Sequence, residues 1–190
     1  MKVVAIIQAR MGSTRLPGKV LRVLGDKTVL AHVIDRAKVI PQVNVVLVAT
    51  TTAPEDDVIV TEARKRGAEI YRGSEHDVLA RYFEAATLFQ ADVVIRVTSD
   101  CPLIDPRLVG NMVREYSASQ ATESPIDYLS NGLERTFPRG LDAEVFGFKI
   151  LEIANAEAKE TYQREHVTPF IYENPLRFRL RSYKNAVDLS

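Results

Sequence analysis

The chain has 190 residues, 46% of them hydrophobic, and its 25 basic and 25 acidic residues leave no net formal charge. This length and composition predict one folded domain rather than a disordered chain, and the neutral charge gives no support for a nucleic-acid partner. The single cysteine, Cys101, excludes an internal disulfide and fits a cytoplasmic location. No apolar run approaches the roughly 20 residues of a membrane span, so none is expected.

Short apolar runs alternate with helical patterns over the first two thirds of the chain. Residues 3–7, 43–48 and 93–97 are apolar and β-branched, which predicts strands buried on both faces, and 68–71 predicts a short strand. Helices are predicted where apolar residues recur at helical spacing, at 29–37, 56–66, 78–86 and after Pro106. This alternation predicts a mostly parallel sheet covered by helices on both sides.

The pattern weakens after about residue 120. Residues 117–125 form the most loop-like break, and 128–139 are rich in Asn, Gly, Arg and Pro. Residues 161–172 predict one helix and 178–183 a strand. We therefore expect a single domain, 1–190, in which 121–190 extend the sheet or form a small C-terminal excursion from 1–120.

A basic loop with two glycines follows the first strand. Residues 8–19 read QARMGSTRLPGK and include Arg10, Arg15 and Lys19. Glycines let backbone N–H groups approach an anion, and the cations neutralise phosphate oxygens. Five residues separate the glycines, where a Walker A motif has four, and the dinucleotide fingerprint also fails on spacing. These features alone leave an anion site and a solvated basic turn both open.

Blocks in order along nearly the whole chain resemble the cytidylyltransferase family, which includes the acylneuraminate and 3-deoxy-manno-octulosonate cytidylyltransferases. They are most like the branch of spore-coat polysaccharide biosynthesis protein F. The blocks are QARMGSTRLPGK at 8–19, DVLARY at 77–82, RVTSDCPLIDP at 96–106, SN at 130–131, FPRGLDAEVF at 137–146 and REHVT at 164–168. The resemblance implies a three-layer, doubly wound fold like that of the nucleotide-diphospho-sugar transferases (GT-A-like).

The resemblance also implies an activity. A member of this family would be a sugar nucleotidyltransferase that uses CTP, activates a sugar or sugar acid for surface polysaccharide synthesis and releases pyrophosphate. Residues 1–120 would bind the nucleotide and 121–190 the acceptor. The implied nucleotide-binding residues are Ala9, Arg10, Gly12, Ser13, Arg15, Lys19, Asp77 and Arg81. Those with an implied catalytic role are Arg10, Arg15, Lys19 and Asp100.

Asp100 is the candidate metal ligand. It follows the strand at 93–97 and no helix starts directly after it, whereas Asp105 before Pro106 fits a helix N-cap. The resemblance implies that Asp100 binds Mg²⁺ on the nucleotide phosphates. For the second ligand two alternatives stay open: Asp142 serves, or the ligand is missing from this chain. Family members usually continue into a further Asp-containing segment that helps complete the metal site, so a chain ending at Ser190 is expected to be truncated at its C-terminus.

The second half holds the candidate acceptor contacts. The implied sugar-binding residues are Asn131, Arg135, Asp142, Glu144 and His166, with Arg139 as a further candidate. Asp142 and Glu144 are two residues apart and share a face if they lie on a strand, although a solvent-facing edge strand is the alternative. His166 is an acceptor contact or an ordinary helix residue. We expect Cys101 to be a packing residue and His32 and His76 to be structural. A homodimer through the second half is a family-level expectation.

Two rival functions stay open. A glycosyltransferase would use a nucleotide-sugar donor on a similar fold, but such enzymes often carry an Asp-x-Asp motif, and the residues Ser99-Asp100-Cys101 lack the second aspartate. The other rival is a shortened paralogue that binds nucleotide without turnover.

Overall fold

The computed structural model describes residues 1–12 and 16–190. The strands are β1 (Val3–Gln8), β2 (Val23–Leu24), β3 (Lys27–Thr28), β4 (Val45–Thr51), β5 (Glu69–Gly73), β6 (Val93–Thr98), β7 (Tyr128–Ser130), β8 (Glu144–Gly147) and β9 (Leu180–Ser182). The α-helices are α1 (Val29–Lys38), α2 (Asp57–Lys65), α3 (Val78–Leu88), α4 (Pro106–Ser119), α5 (Phe148–Glu157), α6 (Thr161–His166) and α7 (Pro169–Tyr172). Short 3₁₀ helices lie at Lys19–Leu21 and Pro54–Asp56.

Seven strands form one sheet in the order β5-β4-β1-β6-β8-β7-β9. Strands β5, β4, β1 and β6 are parallel, and β8 runs antiparallel to both of its neighbours, β6 and β7. At the far edge β9 pairs parallel to β7, while β2 and β3 form a separate hairpin. The prediction of a mostly parallel α/β sheet is confirmed, and residues from 128 onward extend it.

Helices cover both faces of the sheet and make three layers. The β-branched strand residues are buried on both sides because successive side chains point to opposite faces. Odd-numbered residues of β1 pack against α1, α2 and α4, and even-numbered ones pack against α3, α5 and α7. In the described part of the chain, no helix has both the length and the apolar composition that crossing a bilayer requires.

The strand order creates a switch point between β1 and β6. From β1 the chain moves outward to β4 and β5, then returns to β6 on the other side of β1. The connections that leave β1 and β6 therefore diverge at the carboxyl ends of these strands, where open α/β sheets form a ligand-binding crevice. Both sequence blocks with unusual chemistry, after residue 8 and after residue 97, meet there.

One sequence expectation for the second half is wrong, and some of its elements were not predicted. Residues 161–172 are not one helix, because Val167 has a left-handed φ of 74° and Pro169 cannot donate a backbone hydrogen bond. Strand β7, at the start of the segment 128–139, was not predicted as a separate element. Helix α5 was not predicted, since among its ten residues only Leu151 and Ala154 are buried and its apolar stripe is weak.

Candidate active site

A cleft of about 470 Å³ lies at the switch point. Strands β1 and β6 supply its floor, the connection after β1 one wall, and α3 and α6 the other. Its lining comprises Gln8, Ala9, Arg10, Lys19, Val20, Val78, Arg81, Arg96, Thr98, Ser99, Asp100, Glu165 and His166. This set brings together five of the sequence-predicted nucleotide and catalytic residues, which are Ala9, Arg10, Lys19, Arg81 and Asp100. We call it the nucleotide cleft.

The described lining of the nucleotide cleft is electropositive. It holds four permanent cations, on Arg10, Lys19, Arg81 and Arg96, against the two carboxylates of Asp100 and Glu165. Because the whole chain is neutral, this excess is a local property of the cleft. Low-dielectric walls concentrate such a field and favour an anionic ligand.

Arg81 is a cation held in the dry wall of the nucleotide cleft. Only 1% of its surface is exposed, and its Nη1 donates to the Ser74 carbonyl at 2.5 Å. Burial lowers the pKa of Arg81 below its ordinary value. Its Nε, like the Nε of Arg96 and the Oε1 of Gln8, is buried and has no hydrogen-bond partner among the described residues. Buried polar atoms without partners are uncommon in folded proteins, so these three are candidates for ligand contacts.

Asp100 lies at the rim of the nucleotide cleft beside Lys19. The Lys19 Nζ is 2.5 Å from Asp100 Oδ2, across 81 residues of sequence. Burial raises the pKa of Asp100, but the hydrogen bonds from Lys19 and Thr98 and the charge of Lys19 outweigh it, so the pKa lies below 3.8. Asp100 is therefore an ionised carboxylate at neutral pH, with the hard oxygen atoms that a divalent cation prefers.

Asp142 lies on the same side of the protein but is already paired. Its Oδ1 is 2.6 Å from Arg135 Nη1, and its Oδ2 accepts from the Gly140 N–H at 3.2 Å. Burial raises the pKa of the Cys101 thiol, and the negative charges of Asp100 and Asp142 raise it further, so both carboxylates are close enough to act on the same group. Within residues 1–12 and 16–190, no three His, Cys, Asp or Glu side chains cluster as a metal site. A cation here would draw its remaining ligands from phosphate oxygens and water.

A second cleft, of about 450 Å³, adjoins this side of the sheet. Its lining comprises Tyr128, Ser130, Gly132, Leu133, Arg135, Asp142, Glu144 and Tyr172, and we call it the acceptor cleft. It contains three of the five predicted sugar-binding residues. Glu144 on β8 forms an ion pair with Arg96 on β6, directly opposite in the strand register. This pair joins the two clefts, because Arg96 lines one and Glu144 the other.

The other two predicted sugar-binding residues lie elsewhere. Asn131 is 1% exposed, and its amide donates to the Leu141 carbonyl and accepts from the Ala143 N–H. It holds the backbone on both sides of Asp142 and has no surface to offer a sugar. His166 lines the nucleotide cleft rather than the acceptor cleft.

Four predicted nucleotide-binding residues lie outside the set that lines the cleft or outside the described residues. The Asp77 carboxylate caps α3 through the Ala80 N–H at 2.9 Å and pairs with Arg164 at 2.6 Å. Gly12 is exposed outside the set that lines the cleft. Ser13 and Arg15 lie outside the described residues, so their roles stay predictions.

Several structural expectations hold. Asp105 caps α4 by accepting from the N–H groups of Arg107 and Leu108. Cys101 is 6% exposed, and burial raises the pKa of its thiol, as expected for a packing residue.

The sequence interpretation missed Arg96 as a site residue. A signal was present, because Arg96 interrupts an otherwise apolar strand that is predicted to be buried on both faces. A buried charge needs a partner, and Glu144 provides it.

Comparison with known proteins assigns this architecture. The fold is that of solved nucleotidyltransferases. One of these is CMP:2-keto-3-deoxy-manno-octonic acid synthetase complexed with CTP, which has a TM-score of 0.73 and 19% sequence identity to this chain. The superposition covers 97% of this chain and 90% of the synthetase. Residues 4–189 match the family described as cytidylyltransferase. The chain belongs to the cytidylyltransferase family, whose members are nucleotidyltransferases.

Two relatives are much more similar in sequence. Spore coat polysaccharide biosynthesis protein SpsF of Bacillus subtilis is 34% identical over 93% of this chain and 72% of its own length. A cytidylyltransferase from Leptospira borgpetersenii serovar Hardjo-bovis has a TM-score of 0.95 at 40% identity, over all of this chain and 79% of its own. These similarities agree with the family and the branch that the sequence blocks indicate.

Proposed function

We propose that this chain is a CTP-dependent sugar nucleotidyltransferase that activates a sugar or sugar acid for surface polysaccharide synthesis. The observation that carries the proposal is the nucleotide cleft, which four cations line and in which the buried Nε groups of two of them, Arg81 and Arg96, have no partner in the described structure. Family membership and a structural neighbour whose name includes CTP support cytidine as the base.

The triphosphate would lie along the cationic wall. Arg10 and Lys19 belong to the connection after β1, and Arg15 is placed by sequence in the same connection. Arg81 approaches from α3 and Arg96 from β6, so the cations come from three elements. Charges fixed by packing need little rearrangement when negative charge develops on the departing pyrophosphate, which is the usual basis of catalysis by preorganisation.

Asp100 would hold a divalent cation, expected to be Mg²⁺. The residues fit this role, because an ionised carboxylate at the cleft rim can share the ion with phosphate oxygens. Asp142 is the candidate second ligand and would first have to leave Arg135. A bound cation supplies positive charge to the phosphate oxygens.

The sugar acceptor would occupy the acceptor cleft, with Arg135, Asp142 and Glu144 as its polar contacts. A sugar hydroxyl oxygen forms a bond to the α-phosphorus, and the bond from that phosphorus to the β-phosphate bridging oxygen breaks. The products are a nucleotide-sugar, pyrophosphate and the hydroxyl proton. The protein contributes by holding the two reactants in line across the Arg96–Glu144 pair.

The test measures pyrophosphate release from CTP, UTP, ATP and GTP in the presence of a panel of sugars and sugar acids with Mg²⁺. Asp100→Asn removes the rim charge, and Asp105→Asn is its matched control because Asn also serves as a helix N-cap. We expect release only with CTP and one acceptor class, a loss of about 100-fold or more in Asp100→Asn, and nearly full activity in Asp105→Asn.

Three outcomes would contradict the proposal in different ways. Equal loss in both aspartate variants would show that Asp100 has no special role. Glycosyl transfer from a nucleotide-sugar without pyrophosphate release would favour the glycosyltransferase. CTP binding by calorimetry without turnover across the panel would favour the non-catalytic paralogue.

A further inference from the structure

The carboxylate of Asp56 is buried and forms no ion pair in the described structure. It follows β4 in the short 3₁₀ helix, and only 1% of its surface is exposed. Burying a carboxylate without a cation is costly unless hydrogen bonds replace its water. Such a residue therefore needs an explanation beyond packing.

Four donors satisfy the Asp56 carboxylate. Its Oδ2 accepts from Thr50 Oγ1 at 3.0 Å, from the Thr51 N–H at 3.1 Å and from Thr51 Oγ1 at 2.5 Å. Its Oδ1 accepts from the Met11 N–H at 2.7 Å, 45 residues away. Burial raises the pKa of Asp56, but the bonds from Thr51, Met11 and Thr50 outweigh burial and hold the pKa below 3.8. The group is ionised, and its bonds are of the stronger, charge-assisted kind.

The bond to Met11 reaches the wall of the nucleotide cleft. Met11 directly follows Ala9 and Arg10, which line that cleft, and Ala9 itself donates to the Ala49 carbonyl of β4 at 3.1 Å. Two bonds, two residues apart, thus tie the connection after β1 to β4 and to the 3₁₀ helix that follows β4. The Met11 carbonyl in turn accepts from the Gly18 N–H at 3.1 Å, beside Lys19.

Asp56 also acts on the cleft through its charge. Burial lowers the pKa of Arg81, and the positive charge of Arg10 lowers it further, whereas the negative charge of Asp56 raises it. Asp56 is therefore close enough for its charge to favour the protonated form of Arg81 without touching the cleft itself, whose lining does not include Asp56.

We propose that Asp56 is a positioning residue that holds the backbone after β1, and with it Arg10 and Lys19, in the geometry that binds a nucleotide triphosphate. This inference rests on the proposed function for the identity of the ligand, but the backbone order that it assigns to residues 10–12 and 16–19 does not depend on that function. A wrongly placed backbone moves both cations away from the phosphates, and small displacements of charged groups weaken binding strongly.

The test uses Asp56→Asn, which keeps the size of the side chain. Its NH₂ group replaces one carboxylate oxygen and therefore faces either the Met11 N–H or the donors of Thr50 and Thr51, to which it cannot act as an acceptor. Glu55→Gln is the matched control, because it removes the same charge from the neighbouring exposed residue. Thr50→Val is a milder variant that removes one donor and keeps the Met11 bond. Thermal melting first establishes that each variant is folded.

Two readouts follow, one with ligand and one without. In ligand-free protein we expect trypsin to cleave after Arg10 or Lys19 about tenfold faster in Asp56→Asn than in wild type, the equivalent of one lost charge-assisted bond. Cleavage in Glu55→Gln should match wild type, and Thr50→Val should fall between. With CTP, the KM of Asp56→Asn should rise about tenfold with a smaller change in kcat.

The outcomes separate this inference from the proposed function. If wild type does not bind CTP, the proposed function fails and the proteolysis still decides the role of Asp56. If wild type binds CTP and Asp56→Asn matches it in KM and cleavage rate, Asp56 is merely structural. Should Asp56→Asn not fold, hydrogen exchange of the wild-type Met11 amide decides: we expect protection of about 100-fold or more, and exchange at the rate of a free amide would overturn the proposal.

Discussion

Arg164 joins three helices at the wall of the nucleotide cleft, and removing it should loosen that wall. Its Nε is 3.0 Å from both carboxylate oxygens of Asp77, and its Nη2 is 2.6 Å from one of them. Its Nη1 donates to the Asn155 carbonyl at 2.6 Å. That carbonyl belongs to the last turn of α5, where no backbone N–H is available in the helix. One guanidinium therefore connects the N-cap of α3 to the end of α5.

The size of the effect follows from these bonds. The Arg164 side chain is 20% accessible and the Asp77 side chain 34%, so solvent screens the ion pair and we assign it a smaller stabilisation than a fully buried pair would have. We expect Arg164→Ala to lower the free energy of unfolding by about 2–3 kcal/mol. Asp77→Asn, which keeps the cap, should cost about 1–2 kcal/mol. Asp77→Ala should cost about 1 kcal/mol more, because it also removes the cap.

The assay is urea denaturation of wild type, the two single variants Arg164→Ala and Asp77→Asn, and the double variant, with m-values checked for constancy. A double-mutant cycle should give a coupling energy of about 1–2 kcal/mol. If the losses of unfolding free energy in the two single variants add up to that of the double variant within about 0.3 kcal/mol, the reasoning is refuted, because Arg164 and Asp77 would then not stabilise each other. Arg164 directly precedes Glu165 and His166 of the nucleotide cleft, so we also expect a raised KM for CTP in Arg164→Ala.

Three further results are expected. Gly110→Ala should destabilise by about 1–3 kcal/mol, although Ala favours helices, because the new Cβ would lie 2.7 Å from Pro41 Cδ; a thermal melt measures this. Arg96→Met alone should cost about 3–5 kcal/mol by leaving Glu144 buried and unpaired, and adding Glu144→Leu should recover much of that in denaturant titrations. Asp56→Asn should be less stable than wild type at pH 7, and the difference in the free energy of unfolding should narrow below pH 3.8. A carboxylate whose pKa is lowered in the folded state contributes stability that is lost as the group is protonated. An unchanged difference at pH 2–3 would contradict this prediction.

Local patterns were enough to predict the repeated strand–helix units of the first half. Strands β1, β4 and β6 are largely apolar runs, with Arg96 as the charged exception in β6, and α1 to α4 bury a regular stripe, so each element is specified by side chains within its own segment. The N-cap role of Asp105 is equally local. The elements of the second half were harder to predict, because β7 and β9 have three residues each and α5 buries little of its surface.

The sequence by itself determined the parallel α/β class, the cationic segment after β1 and, through its ordered blocks, the family. Only the tertiary structure decided which chemical groups share a cleft. Arg96 meets Glu144 because β8 inserts antiparallel beside β6, and Asp56 meets Met11 because β4 pairs with β1. Tertiary packing also buries Asn131 in the core and places His166 in the nucleotide cleft. Such contacts join residues tens of positions apart, and no periodicity within a segment can encode them.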